Sequence, residues 1–564
     1  MAALPSLAPQ AFGATLEGPG VSPSLAQGVA SWGVVALATL GAAAVMAAAG
    51  PLSVTHGVLA GLGGPSYRDV LYGHIHLFPS AIALGNLLDT QLRQVEVWNA
   101  REDAQALSAI QALNPDGTVV SGSALPPITF GPLESHLYDV SISAAGSAAL
   151  DATFTWQFVA EQPVLSVTAT RIIAMPFAPD WSEPPEEALT WKTDVLRAYE
   201  GQEQRIKLLG KPRRGLAYTY LLEDANQGAR FQSQVWGWQQ RAFSVPVWMD
   251  QDWLAADLAL GATIVPFTTT NRDVDVDQPV MLWQDASAFE IVEVGTFTAS
   301  ALSLKQATRN AWPAGTRVVP MRVGHMPKGL EWGRGNVLQA SVRLEWALDP
   351  ATGIGANRTQ PSGLTVYQGY EVLTEEADWS LEVGEAADRD MDLVDFETGL
   401  VAYDTHTSAP EFSRPFHWII KGRDAIARFL GFLDTHCGRL VPFWLPTFAH
   451  DLAQTQDAAA ADLTIQIQDI HYSLYVAQHP NRRDLAFFPL SGAPVLRRIT
   501  ASAPGASGFE WITLDQAFGQ IRRATDWTCI SYLAFVRMDQ DSLRLVWETD
   551  DLLRASFRVK EILL

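Results

Sequence analysis

An approximate internal duplication constrains this chain more than any other feature, because a repeat sets the architecture before local detail does. Val245-Pro246-Val247-Trp248 returns as Val441-Pro442-Phe443-Trp444. An Arg- and aromatic-rich run precedes the first copy, from Arg230-Phe-Gln-Ser-Gln-Val-Trp-Gly-Trp238 to Arg241. The second follows Ala427-Arg-Phe-Leu-Gly-Phe-Leu433 and Gly438-Arg439. An Asp-containing loop and a strand-rich block come after each. The first block holds Phe289-Glu-Ile-Val-Glu-Val294, Ala301-Leu-Ser-Leu304, Ala311 to Arg317 and Val319-Pro-Met-Arg322; the second holds Phe509-Glu-Trp-Ile-Thr-Leu514, Ala524-Thr-Asp-Trp527 and Tyr532 to Arg537. The order is the same, although identity is low and the spacings differ. These patterns place one β-rich module at 181–344 and a related one at 401–564. Between them, 345–400 carries an acidic run from Glu375-Glu376 through Asp395 and reads as an exposed connector or arm.

Upstream, His74 to Phe78, Gln94 to Trp98, Leu137 to Ile142, Ala152 to Phe158 and Val164 to Thr168 alternate apolar with polar residues, and Asn114-Pro-Asp-Gly117 supplies a turn. That spacing predicts an immunoglobulin-like β-sandwich over 68–180, ending at the linker Pro176-Phe-Ala-Pro179. The expected fold is mainly β and multidomain: a sandwich, then two related β-rich modules with a few packed helices. The clearest helix is predicted from Arg423 to Cys437, where Ile426, Phe429, Leu430 and Leu433 share one face and Gly438 follows as a stop.

Residues 1–67 are of another kind. From Gly18 to Tyr67 there is no Asp, Glu, Lys or Arg, and residues 31–50 are mainly Ala and Gly. The length would span a bilayer, but Ala and Gly give weak transfer energy and no Lys or Arg anchors flank the stretch. Ala38, Gly41, Ala44 and Ala48, three or four apart, instead suit a helix buried at a close subunit contact. Host membrane contact through residues 18–67 is the second reading. No positively charged start precedes the apolar stretch, so the amino terminus does not resemble a secretory signal.

With 564 residues, 48% hydrophobic and 18% charged, the chain has ample material for several cores and is not a disordered polymer. Its 39 basic and 61 acidic residues give a net charge of −22, which repels phosphate backbones and argues against nucleic-acid binding by charge. Cys437 and Cys529 are too few for a disulfide framework or a Cys-based zinc site, and a reducing cytoplasm is the expected place of maturation.

Constellations that would carry chemistry are weak. There is no G-x-S-x-G elbow, no phosphate-binding G-x-x-x-x-G-K-[ST] loop and no H-E-x-x-H. Gly61-Leu-Gly-Gly-Pro65 lacks the Lys of a phosphate cradle and reads as a turn. Asp273-Val-Asp-Val-Asp277 begins like a calcium loop, yet Gln278 stands where Gly is needed and Gln284 where the bidentate Glu belongs; it reads as an exposed acidic turn or strand edge. His74 and His76 would share a strand face without an evident third ligand, and His417, His436, His450 and His471 read as structural. Glu186-Glu187, Glu375-Glu376 and the basic Lys211-Pro212-Arg213-Arg214 read as solvated turns. Catalytic residues, metal ligands and cofactors are therefore expected to be none. Trp236, Trp238, Trp248 and Trp444 are the candidate interface or core residues, since buried aromatics dominate such contacts; a sugar-stacking platform of Trp236 and Trp238 is the competing use.

Several runs carry a family resemblance. Trp191-Lys-Thr-Asp194, Glu203-Gln-Arg205, Lys211-Pro-Arg-Arg214 and Val245-Pro-Val-Trp248 resemble minor tail and distal-tail-like proteins of siphophages. So do Arg414-Pro-Phe-His-Trp418, Gly438-Arg439, Pro442-Phe-Trp-Leu-Pro446, Arg537-Met-Asp-Gln-Asp541 and Phe557-Arg-Val-Lys-Glu561. The resemblance covers about residues 68–564; the chain departs from simple distal tail subunits in its length and its uncharged front end. It implies a non-enzymatic virion protein of the tail tip or baseplate, made in the host cytoplasm. Its implied partners are copies of itself in a trimeric or hexameric ring, the tail tube and tape measure proteins, the baseplate hub and the receptor-binding proteins. Two other classes compete: a virion-associated carbohydrate-binding or depolymerising protein, and a bacterial envelope-anchored surface protein.

Overall fold

The computed structural model describes residues 67–563, apart from 88–89, 145, 148, 351–353, 356, 408, 478 and 507. Ala38, Gly41, Ala44 and Ala48, with the rest of residues 1–66, lie outside the described residues. The protein is mainly β and multidomain. A sandwich comes first: a four-stranded sheet that includes Gln91–Asn99 and Ser135–Ile142 faces a five-stranded sheet that includes Ala149–Phe158 and Val164–Arg171. Every second side chain of Ala149–Phe158 points inward, so Leu150, Ala152, Phe154, Trp156 and Phe158 join Val95, Val97, Tyr138 and Val140 in one apolar core. The predicted turn is present, with Asn114, Asp116 and Gly117 all at positive φ between Gln105–Leu113 and Thr118–Gly122.

Pro176 to Pro179, expected as a linker, is instead packed into the first of the two modules. Phe177 is buried against Phe231, and Trp283 Nε1 donates to Pro176 O at 2.6 Å. Ile173–Ala174 adds to the sheet of that module by pairing in parallel with Phe243 and Ser244.

Two series of elements then share the same order and the same pairings. The first runs through an edge strand Glu186–Thr190, a hairpin of Thr193–Arg197 with Glu203–Lys207, the strand Arg213–Leu222, the helix Ala225–Trp238 and the strand Phe243–Pro246. The second runs through Ala386–Asp388, Met391–Val394 with Ala402–Thr405, Glu411–Lys421, the helix Arg423–His436 and Phe443–Pro446. Spacing from strand start to helix start is identical, 213 to 225 and 411 to 423, and both helices have 14 residues. In each series the strand after the helix pairs with a long strand, Arg317–His325 or Trp527–Met538. The long strand pairs with the last one, Ala340–Leu348 or Leu552–Glu561, which runs back along the strand before the helix. Each series also holds a small β-lobe with its own core, one around Val265, Leu282 and Val294, the other around Ile467, Phe487 and Ile512.

The tetrapeptides that suggested the duplication are out of structural register. Gly324 pairs with both Phe243 and Leu348, and Val536 pairs with both Phe443 and Glu561. Phe243 therefore corresponds to Phe443 and Pro246 to Pro446, not to Pro442. Trp248 opens a 3₁₀ turn after its strand, whereas Trp444 lies within its strand. Strand register follows the ladder and the side-chain period, and a four-residue sequence match has no hold on either.

The helix Arg423–His436 ends as its sequence predicts, with Cys437 left-handed at φ 49° and Gly438 at φ 66°. Midway along it, Gly431 lets the backbone of Gln360 rest directly on the helix, where a Cβ would collide with the Gln360 carbonyl. The stretch expected as an acidic connector is thus divided: its start completes the first module, its middle packs on this helix, and its end forms the edge strand and hairpin of the second.

Candidate assembly surface

Glu186–Thr190 joins the two modules. One edge pairs antiparallel with Arg213–Leu222 of the first module, and the other pairs antiparallel with residues 542–546 of the second. A single sheet thereby runs across the junction, and one large core draws on Leu216, Tyr218 and Trp346 from one side and Phe416, Trp418 and Trp547 from the other.

Charges lie beneath this seam. Glu187 is fully buried and accepts from Arg214 Nε at 2.6 Å, from Arg358 Nη1 and Nη2 at 2.8 and 2.5 Å, and from the Trp547 indole at 3.1 Å. Asp273, equally buried, pairs with Arg214 and Arg322 and accepts the Gly355 amide at 2.7 Å. Asp250 takes Arg358 Nε at 3.1 Å and Arg423, the first residue of the second module's helix, at 2.5 Å. Burial alone would raise the Glu187 carboxyl, but Arg358 and Arg214 hold it down to about 2. Asp273 likewise sits well below the usual carboxylate range, burial being outweighed by Arg214 and Arg322. These carboxylates stay ionised, and losing a partner would strand a buried charge. Asp273, Glu187 and Arg214, all expected in solvated turns, are instead members of buried ion pairs. Within the Asp273 to Asp277 run only the far end behaves as expected, with Asp277 exposed and 2.8 Å from Lys305.

The hairpin 193–207 clasps the second module from outside. Thr193 N donates to Asp541 at 2.8 Å, and Arg439 donates to Thr193 O at 3.1 Å. Arg197 pairs with Glu411 at 2.5 Å, Glu203 takes Arg537 at 2.7 and 2.9 Å, and Lys207 Nζ reaches Cys437 Sγ at 3.4 Å. Beneath this hairpin is a cavity of about 240 Å³ lined by Trp191, Lys207, Lys211, Arg214, Asp434 and Cys437. Burial raises the Asp434 carboxyl to about 6, against the pull of Arg358.

The four tryptophans have separate fates. Trp248 is buried in the central core with its ring edge-on to Trp283 at 5.2 Å. Trp444 is buried in a smaller core with Val372, Leu533 and Phe535 and donates to Tyr367 O at 3.0 Å. Trp238 is half-buried, donates to Ala242 O at 2.8 Å and lies under the Arg241 guanidinium at 4.3 Å, while Trp236 is 81% exposed. Two positions apart on a helix, Trp236 and Trp238 cannot form one flat platform.

No family model matches this chain, and no curated protein does. Among solved structures, it is similar to the secreted serine protease VesC from Vibrio cholerae, at 9% identity over 44% of this chain and 49% of that chain, with a TM-score of 0.15. The chain thus spans about half of that protein. A likeness at that score carries no argument about fold or activity.

The histidines are dispersed. His74 Nδ1 lies 2.6 Å from Glu161, and His76 Nε2 lies 2.7 Å from Leu71 O with its ring stacked on Trp98. His436 is buried, which lowers its basicity, and Nδ1 lies 2.9 Å from Phe432 O. Among the described residues no group of three or more His, Cys, Asp or Glu could hold a metal ion, and no helix is long and apolar enough to cross a membrane.

Proposed function

We propose that this chain is a structural component of a bacteriophage tail tip or baseplate, forming a ring that connects the tail tube to hub or receptor-binding proteins. The observation that carries this reading is the tandem of modules with matching strand pairings, welded into one sheet by Glu186–Thr190 and clasped by a hairpin. Such a part serves by holding rigid units at fixed angles through extensive contacts, which is what tandem modules and arms provide. The resemblance of the Trp191, Arg414, Gly438 and Arg537 runs to siphophage tail proteins supports the same reading. Antibody labelling or density assignment on intact particles tests it. Label at the tail tip is the expected result; a chain found with the host envelope and absent from particles overturns the proposal.

A further inference from the structure

The junction inside the chain is a template for a junction between chains. In the first module the edge strand Glu186–Thr190 uses both edges, one for its own module and one for residues 542–546 of the next. Its counterpart, Ala386–Asp388, pairs with residues 411–413 on one edge, and among the described pairings nothing takes the other. All three of its residues are exposed.

The surface that would receive it is equally open. Ser542–Thr549 lies beside the last strand of the second module as Trp332–Arg334 lies beside the last strand of the first. Trp332–Arg334 pairs, among the described pairings, only with that strand. The second module therefore leaves a donor edge unfilled at Ala386–Asp388 and the first leaves an acceptor edge unfilled at Trp332–Arg334, among the described pairings. Open edges of this kind recruit another strand.

The hairpins repeat the asymmetry. The first, 193–207, lies against Arg439, Arg537 and Asp541 of the following module. Among the described residues the second, 391–405, lies against no such module face; Tyr199 at the tip of the first hairpin donates to its Asp404 at 3.2 Å, and every residue of both its strands is exposed. Leu393, Phe396, Leu400 and Tyr403 are 59%, 76%, 99% and 64% exposed, a run of apolar surface of the kind that marks an interaction site.

Charge selects the occupant. Between 391 and 405 stand Asp392, Asp395, Glu397 and Asp404 with no Lys or Arg. The corresponding part of the first module carries the exposed Lys192 and Arg213, together with Lys328, which pairs with Glu345 at 2.6 Å, and Arg241, which donates to Gly146 O at 3.4 Å. One pair is informative by itself. Arg197 of the first hairpin meets Glu411 at the start of the strand Glu411–Lys421. By position, Asp395 stands for Arg197, and Arg213, which starts Arg213–Leu222, stands for Glu411. The signs are reversed on both sides, so the contact remains attractive.

From these observations we infer that the arm 391–405 and the edge Ala386–Asp388 of one copy dock on the first module of a second copy, around Arg213 and the stretch leading into Trp332–Arg334. The association is head-to-tail, and repeated rotation closes it into a ring in which modules of both kinds alternate. It deepens the ring reading above and rests on that reading's self-association, not on where in a virion the ring sits.

The test uses the full chain in solution, with mass measured by light scattering across a dilution series. The wild type is expected as a discrete closed oligomer. Asp395→Arg and Arg213→Asp are each expected to weaken association at least tenfold, and the double exchange to restore it. Both positions are exposed, and unchanged melting of each variant separates lost docking from lost folding. A wild type that stays monomeric at all concentrations overturns the inference. So does an oligomer indifferent to both single changes or not restored by the double, including one built by the arm on a different partner protein. Tail-tip placement is read separately from labelled particles, so either result can fail without the other.

Discussion

The two modules share a ladder but differ in what they bury. In the first, Glu187, Asp250, Asp273, Arg214 and Arg322 lie inside, closed over by Arg358, Arg423 and Trp547. In the second, the position of Glu187 is taken by Glu385, half in solvent and paired with Arg414, and the positions of Arg214 and Arg322 are taken by Phe412 and Ala534. At these positions the same fold thus carries buried ion pairs in the first module and apolar or half-exposed groups in the second, which buries its own charges, Glu510, Glu561 and Arg537, elsewhere. At the positions of Glu187, Arg214 and Arg322, context within the chain, not the fold itself, decides whether charge is buried.

Removing a charge on each side is the sharpest way to break this comparison. Glu187→Ala leaves Arg358 and Arg214 buried without their shared carboxylate and is expected to cost about 3–5 kcal/mol in denaturant unfolding, whereas Glu385→Ala should cost under about 1 kcal/mol. Equal losses would mean that the charged junction is not special. The pH dependence follows from the depressed acidity of Glu187. Its contribution is fully present above the ordinary carboxylate range and is lost as pH falls toward about 2, and Glu187→Gln should flatten that part of the acid-unfolding profile.

Trp248→Ala and Trp444→Ala compare the central core with the smaller one, and each should cost about 3–5 kcal/mol because a large buried ring is removed. Normal melting of either variant would count against its buried placement.

Asp434, at the junction cavity, works in the opposite direction. Its carboxyl is raised to about 6, so the folded state disfavours the ionised form and stability falls as pH rises from about 4 through 6. Asp434→Asn should stabilise the protein by about 1–3 kcal/mol at pH 7 and leave it unchanged near pH 3.5, as followed by thermal unfolding at the two pH values.

The smallest effect is expected at Trp236, whose exposed side chain can be cut to Ala within about 0.5 kcal/mol. A larger loss in the same unfolding assay would place it at a contact.

What the sequence by itself determined is the local order. Alternation located the sandwich strands, since a strand half-buried on one face must alternate, and the apolar stripe with its Gly438 stop located the helix Arg423–His436. It also carried the repeat, because both modules keep the same succession of strand, helix and strand, although the tetrapeptides that signalled it are four positions out of register. What only the tertiary structure decided is burial of charge and choice of neighbour. Nothing adjacent to Glu187 or Asp273 announces that Arg358 or Arg322 will reach it, because those partners arrive from strands and loops distant along the chain. A solvated acidic turn and a buried ion pair look alike until the fold brings the opposite charge within hydrogen-bonding distance.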